Sequence, residues 1–155
     1  MSEKFRELIT IGGKNVVIAH DEPPVRNAGV LERAEIFRML NIFDDKYQPS
    51  NFNKADGTPL RVYTSDGCKI DISKRSKEDM GFWHRNIDAH EVIICIKGAL
   101  KWETEMGTKT MLPGDMLVIP KGIAHRSMLC EQSAEENVLI ELKVTDELEY
   151  VGDNK

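Results

Sequence analysis

Histidines and a carboxylate are concentrated in the second half of this chain. Three of its four histidines, His84, His90 and His125, fall between residues 84 and 125, and Glu91 is close to them in sequence. Neutral imidazole nitrogens and a carboxylate oxygen are a ligand set of mononuclear transition-metal sites. These residues therefore predict a site for one divalent transition metal. The same ligand set serves Fe(II), Mn, Ni or Zn.

The segments that carry these residues are predicted to be β-strands. From residue 61 onward, short strand-like runs recur between Gly and Pro turns, which is typical of a β-sandwich or barrel. His84 and Asn86 would project from the same side of their strand. Glu91 begins the next strand, and His125 opens a strand after the turn at Pro120–Gly122. A closed barrel would bring these side chains together in its interior.

Four further residues are candidates for the site. Asn86 can be a weak oxygen ligand, or it can orient a substrate or a metal-bound water. His90 is an alternative ligand, although a direct neighbour of Glu91 on a regular strand would face the other way. Cys95 and Trp102 are candidates for the wall of a substrate pocket, with packing in the core as the alternative.

The remaining segments are less informative. Residues 1–13 read as a polar lead-in to a short strand at Val16-Val17-Ile18, and residues 30–43 fit a helix or a strand. Residues 44–60 and 74–81 are predicted to be solvated loops. We expect residues 1–60 to form an N-terminal extension that packs on the barrel, residues 61–146 to form the barrel, and residues 147–155 to form a C-terminal tail.

One motif indicates the fold. The pattern Gly114-x5-Pro120-x-Gly122-x2-His125 matches the second conserved motif of the cupin superfamily up to its last position. Leu129 occupies that position, where cupins usually have Asn. The chain therefore resembles the cupins over about residues 81–129. The resemblance implies an all-β fold, the cupin double-stranded β-helix or jelly-roll barrel, here with an N-terminal extension.

The first cupin motif is only partly present. Glu91-x6-Gly98 matches its end, and His84 matches its first histidine, but Asn86 stands in place of the second histidine. Glu78 occupies the place of the usual upstream Gly. The resemblance thus implies three protein ligands, His84, Glu91 and His125, where many cupins have four.

The same segment suggests an activity. His84-Arg85-Asn86 followed by Glu91 resembles the metal-binding segment of homogentisate dioxygenase, although Glu91 comes seven residues after His84 instead of six. His90 occupies the six-residue position. The resemblance implies a mononuclear non-haem Fe(II) dioxygenase that acts on a small aromatic or enolisable oxygenated substrate. Two alternatives stay open. One is an O₂-independent isomerase, lyase or decarboxylase of a sugar or keto acid, and the other is a non-catalytic cupin that binds small molecules.

Composition excludes several other classes. The 155 residues carry a net charge of −5 without a basic stripe, so we expect no nucleic-acid partner. No apolar run is long enough for a membrane helix, and the start does not resemble a secretory signal. Three widely spaced cysteines favour a reducing cytoplasm over a disulfide framework. The resemblance to cupins also predicts a homodimer.

Overall fold

The computed structural model describes residues 5–20, 37–54, 57–77 and 81–153. Within these ranges the chain forms β-strands and two short 3₁₀ turns, at Asp45–Tyr47 and Ser50–Phe52. The strands are β1 (Phe5–Ile11), β2 (Lys14–His20), β3 (Leu60–Thr64), β4 (Cys68–Arg75), β5 (His90–Lys97), β6 (Leu100–Thr104), β7 (Gly107–Met111), β8 (Met116–Ile119), β9 (His125–Met128) and β10 (Asn137–Val144). No helix in the described ranges has the length and apolar character needed to cross a membrane.

The contacts divide the chain into two compact units, residues 1–40 and residues 41–155. The first unit contains the antiparallel hairpin β1–β2. Gly12 and Gly13 turn the hairpin with φ of +56° and +75°, values that suit a tight two-residue turn. The prediction of a polar lead-in over residues 1–13 is therefore wrong for its described part, residues 5–13, because Phe5–Ile11 is a strand and Gly12-Gly13 is a hairpin turn.

The second unit contains the barrel strands. One sheet has the order β3-β4-β10-β5-β8, and the other has the order β7-β6-β9. Side chains from both sheets meet in one apolar core. Its buried members are Ile93, Cys95, Leu100, Trp102, Met111, Ile119 and Leu139. The predicted all-β architecture from residue 61 onward is confirmed.

Three local predictions were wrong in this unit. Residues 81–86 do not form a regular strand and pair only through the single bridge between His84 and His125. The segment 44–60 is not a plain solvated loop, because it contains both 3₁₀ turns and the fully buried Asn51. Lys74 and Arg75 belong to β4 and are 1% and 9% exposed, so the charged run does not begin as a solvated loop.

Some predictions fall on residues outside the described ranges. These are residues 30–36, in the segment read as helix or strand, and Glu78 with the rest of residues 78–80. Residues 37–43 of that ambiguous segment form neither a helix nor a strand. The predicted packing of residues 1–60 on the barrel stays a prediction.

Gly98 shows why one motif position requires glycine. It joins β5 to β6 with φ of +75°, and a Cβ there would overlap the side chain of Asn137. The Asn137 amide is fully buried, where its oxygen accepts from the N–H groups of Ala99 and Ala134 and its nitrogen donates to the carbonyl of Arg75. This amide joins the end of β4 to the β5–β6 turn, and that link positions the strands that carry the candidate site.

Candidate metal centre

The structure brings His84, Glu91 and His125 together. One ligand atom from each lies within 4.8 Å of the others. Glu91 is the second residue of β5, His125 is the first residue of β9, and His84 bridges to His125 through two backbone hydrogen bonds of 3.0 and 2.8 Å. Glu91 and His125 are 3% and 1% exposed, and His84 is half-buried. The three side chains therefore converge, although His84 reaches the cluster from outside a regular strand.

Backbone carbonyls orient both imidazole rings. His84 Nδ1 lies 3.2 Å from the carbonyl oxygen of Phe82, and His125 Nδ1 lies 2.9 Å from that of Ile123. A carbonyl oxygen only accepts hydrogen bonds, so in the neutral form of each ring Nδ1 carries the proton and Nε2 keeps its lone pair. This is the arrangement in which histidine ligates a metal through Nε2.

The Nε2 atom of His125 has an environment that fits a metal. It is buried and has no hydrogen-bond partner. Glu91 Oε2 is 3.0 Å away, but the two atoms lack the alignment of a hydrogen bond. Buried polar atoms in proteins are nearly always satisfied, and a cation between this nitrogen and the carboxylate would satisfy both. The cluster can therefore hold a divalent metal through His84, Glu91 and His125.

Asn86 contacts the cluster through Glu91. Its Nδ2 donates a 2.7 Å hydrogen bond to Glu91 Oε2. The neighbouring turn is fixed as well, because the Gly122 N–H donates to the Asn86 carbonyl oxygen at 2.6 Å. The amide of Asn86 thus orients the Glu91 carboxylate, a role that the sequence did not predict, while coordination through its oxygen and contact with a substrate or a metal-bound water stay predictions.

His90 lies outside the cluster. Its Nδ1 accepts from the backbone N–H of Lys121 at 3.2 Å, and its Nε2 lies 3.4 Å from Glu147 Oε2. His90 also faces away from Glu91, as expected for adjacent residues of a strand. The alternative in which His90 coordinates the metal is therefore not supported by the geometry.

Burial and mutual charge set the protonation of the cluster. Burial alone would raise the pKa of Glu91, but the adjacent His125 and Lys143 lower it below its usual value. Burial lowers the pKa of His125, yet the Glu91 carboxylate outweighs this effect and raises it. Burial is also the main reason that the pKa of His84 is lowered. A cation that binds here would therefore meet an ionised Glu91 and a neutral His84, and would compete with a proton on His125.

The cluster borders a cavity of about 540 Å³. His84, Asn86 and Glu91 line it on one side, and Phe82 and Trp102 add aromatic surface. This volume is typical of small-molecule sites. Trp102 fits both of its predicted places, because it is a buried member of the core and also borders the cavity, and its ring centroid lies 5.9 Å from that of His125.

Cys95 is not among the residues that line this cavity. It is buried in the apolar core, where Sγ lies 3.6 Å from the carbonyl oxygen of Gly98. Cys95 shares a strand face with Glu91 but is four residues further along β5, which places it deeper between the sheets. Its predicted place in the pocket is therefore wrong, and the alternative of core packing is confirmed.

Sequence reasoning missed the charged wall of the cavity. It consists of Arg61 from β3, Asp71 and Arg75 from β4, and Glu141 and Lys143 from β10. Their period-two spacing was visible in the sequence. Alternating charged residues are normally assigned to the solvent face of a strand. Here that face points into the cavity.

Comparisons with known proteins identify the fold. The structure is similar to that of a candidate mannose-6-phosphate isomerase from Ralstonia eutropha, with a TM-score of 0.53 and 23% identity over 70% of this chain and 99% of the other. It is also similar to the cupin domain of Cnp3 from Schizosaccharomyces pombe, with a TM-score of 0.51 and 10% identity over 57% and 60% of the two chains. The chain has the cupin fold.

A third structure is more similar in sequence. A cupin-2 domain-containing protein from Shewanella frigidimarina has 26% identity and a TM-score of 0.46, over 56% of this chain and 79% of the other. No protein-family model matches the chain, and no curated protein matches it.

The comparisons do not test several of the predictions. The resemblance to homogentisate dioxygenase, the homodimer, the cytoplasmic location and the lack of nucleic-acid binding all stay predictions.

Proposed function

We propose that this cupin is a metal-dependent enzyme in which His84, Glu91 and His125 hold one divalent transition metal. The observation that carries the proposal is the buried, unpartnered Nε2 of His125 beside the Glu91 carboxylate. An unsatisfied polar atom in the interior is costly unless a ligand completes it. The adjacent cavity gives a substrate access to the cluster.

We further propose that the metal is Fe(II) and that the reaction is a dioxygenation of a small aromatic or enolisable oxygenated substrate. Two histidines and one carboxylate, with the remaining coordination positions open, are the ligand set of non-haem Fe(II) oxygenases. When bound, the metal supplies Lewis-acid activation and a template for the substrate. Phe82 and Trp102 offer aromatic surface to a planar substrate, and Asn86 keeps the Glu91 carboxylate in place.

One observation favours a second candidate, an O₂-independent isomerase, lyase or decarboxylase of a sugar or keto acid. Glu141 lines the same cavity, and in the metal-free protein its burial, together with the charge of Glu91, raises its pKa to about 7. A carboxyl group with a pKa near neutrality can both accept and donate a proton under working conditions. Such a group suits proton transfer next to a polarised carbonyl.

Elemental analysis and O₂ uptake test these proposals. Protein purified without added metal should contain, or take up on reconstitution, one transition-metal ion per chain. The Fe(II)-loaded protein should then consume O₂ with a member of a panel of catechol-like, gentisate-like and diketone compounds. A chain that binds no metal would refute both enzyme proposals. Metal binding without O₂ uptake on the panel would favour the O₂-independent reaction.

Two histidine variants test the ligand assignment. We expect His125→Ala to abolish stoichiometric metal binding, because it removes a ligand of the cluster. His90→Ala is the matched control and should keep full metal occupancy, because both nitrogens of His90 contact other groups. Circular dichroism should show the β-fold in both variants. Full occupancy in His125→Ala would show that the ligand set is wrong.

A further inference from the structure

Arg75 is a buried cation with no carboxylate partner among the residues that the structure describes. It is the last residue of β4, is 9% exposed, and lines the cavity beside the cluster of His84, Glu91 and His125. Its Nη1 donates to the carbonyl oxygen of Asn51 at 3.3 Å, whereas its buried Nε has no hydrogen-bond partner. Among the described residues, Glu141 and Glu91 interact with its charge through space only. A buried charge that is incompletely paired is destabilising unless a ligand completes it.

The other cations of the cavity already have carboxylate partners. Arg61 makes two hydrogen bonds to Asp71, of 2.9 and 3.2 Å. Lys143 lies 2.9 Å from Asp71 and 3.7 Å from Glu141. Of the three cationic side chains that line the cavity within the described ranges, Arg75 is therefore the one without a carboxylate partner, which leaves its charge available to an incoming anion.

The charge of the cavity also favours an anion. Arg61, Arg75 and Lys143 face three carboxylates, those of Asp71, Glu91 and Glu141, so the wall is close to neutral when all six are ionised. A divalent metal at the cluster would leave an excess of two positive charges. Glu91 would then be engaged by the metal and would compensate Arg75 less.

We infer that the substrate of this cupin carries a small oxyanion group, a carboxylate or a phosphate, which Arg75 binds while the rest of the molecule extends towards the metal cluster. The inference rests on the proposed function, because it names the substrate class of that site. The planar guanidinium can donate two parallel hydrogen bonds to either oxyanion, which a lysine at this position could not do. The cavity has room for a small acid with an aromatic or enolisable part.

Calorimetric titration with simple probes tests the inference. The probes are inorganic phosphate, propionate and, as the neutral analogue of propionate, propionamide. Each is titrated into metal-free protein and into protein loaded with one Zn(II) per chain. We expect one oxyanion site per chain, no binding of propionamide, and tighter binding by the loaded form. The preferred probe distinguishes a phosphate site from a carboxylate site.

Variants of Arg75 complete the test. We expect Arg75→Gln to weaken oxyanion binding about 10- to 100-fold, because charge-assisted hydrogen bonds are lost. Arg75→Lys should give an intermediate affinity, and Arg85→Gln, which changes an exposed arginine away from the cavity, should bind as the parent does. If Arg75→Gln does not fold, Arg75→Lys still tests the role of the guanidinium, and the comparison of propionate with propionamide still tests whether the site requires an anion.

Several results would overturn the inference. They are equal binding of propionate and propionamide, binding of neither oxyanion, or parental oxyanion affinity in a folded Arg75→Gln protein. These results are separate from those that test the metal. A protein that binds metal but no oxyanion refutes only the substrate class. A protein that binds an oxyanion through Arg75 but no metal refutes the proposed enzyme and leaves the anion site in place.

Discussion

Replacing Asn86 with alanine tests how this chain compensates for a departure from the usual cupin ligand set. Many cupins have a histidine at this position, and here the amide nitrogen donates to Glu91 Oε2 at 2.7 Å. Alanine removes that donor and leaves the three proposed ligands in place. The carboxylate would then be free to rotate within a site where it must point at the metal.

The size of the effect follows from the type of bond that is lost. A hydrogen bond to a charged group contributes about 1.5–3 kcal/mol, and about 1.4 kcal/mol corresponds to a tenfold change in affinity. Groups that orient metal ligands typically change metal affinity about 10- to 100-fold when they are removed. We therefore expect Asn86→Ala to bind Zn(II) about 10- to 100-fold more weakly than the parent, still with one ion per chain.

Competition with a chromophoric chelator at neutral pH measures this affinity directly. Arg85→Ala is the matched control, because Arg85 is the exposed neighbour whose side chain does not line the cavity. Unchanged affinity in Asn86→Ala would refute the proposed orienting role. Loss of stoichiometric binding would show instead that Asn86 is itself a ligand.

Two further predictions concern stability. Gly98→Ala should lower the free energy of unfolding by about 2–5 kcal/mol, through left-handed backbone strain and displacement of the Asn137 amide. Gly122→Ala is the control, because Gly122 has a similar φ but open space where a Cβ would lie, and it should lower the free energy of unfolding by only about 1–2 kcal/mol. Urea unfolding measures both variants, and equal losses of stability would contradict the role given to Asn137. The pKa of Glu141 is raised from its usual value of 4.5 to about 7 in the folded state. The folded state therefore binds this proton more tightly than the unfolded state does, and the stabilisation that the proton gives is lost as the pH rises from 4.5 to about 7. In the metal-free parent, the free energy of unfolding should fall by on the order of 3 kcal/mol over this pH interval because of Glu141, and this fall should be absent in Glu141→Gln. The same fall in both proteins would exclude Glu141 as its cause.

The members of the His84–Glu91–His125 cluster could be predicted from the sequence because each lies in a segment with a recognisable local pattern. His125 follows a turn whose Gly and Pro residues appear in the sequence, and Glu91 opens an apolar strand. Strand alternation then places Glu91 on the inner face, where the structure has it. The role of Asn86 could not be predicted, because a 2.7 Å contact to Glu91 depends on a turn whose path the sequence pattern does not define.

The charged wall was missed for a different reason. Arg75 is the second residue of a run of charged residues that begins at Lys74, and such runs are usually solvated loops. In the structure β4 continues through Arg75 because β10 pairs with it along its whole length, from Asn137↔Arg75 to Val144↔Cys68. This pairing joins residues about 70 positions apart in the chain, and local periodicity contains no information about it.

The proposed function depends on two groups of residues, the proposed metal ligands and the charged residues of the cavity wall. The residues that would hold the metal come from the segments with cupin motifs, whereas Arg75, Glu141 and Lys143 come from strands outside those motifs. A set of metal ligands that lies in cupin-like motifs indicates a class of chemistry, but it does not select a substrate, because fold and function are separable. Selection must then come from the cavity wall, and in this chain the unpaired cation of that wall is Arg75. Substrates should therefore be sought first among small acids, even if the metal proves to be other than iron.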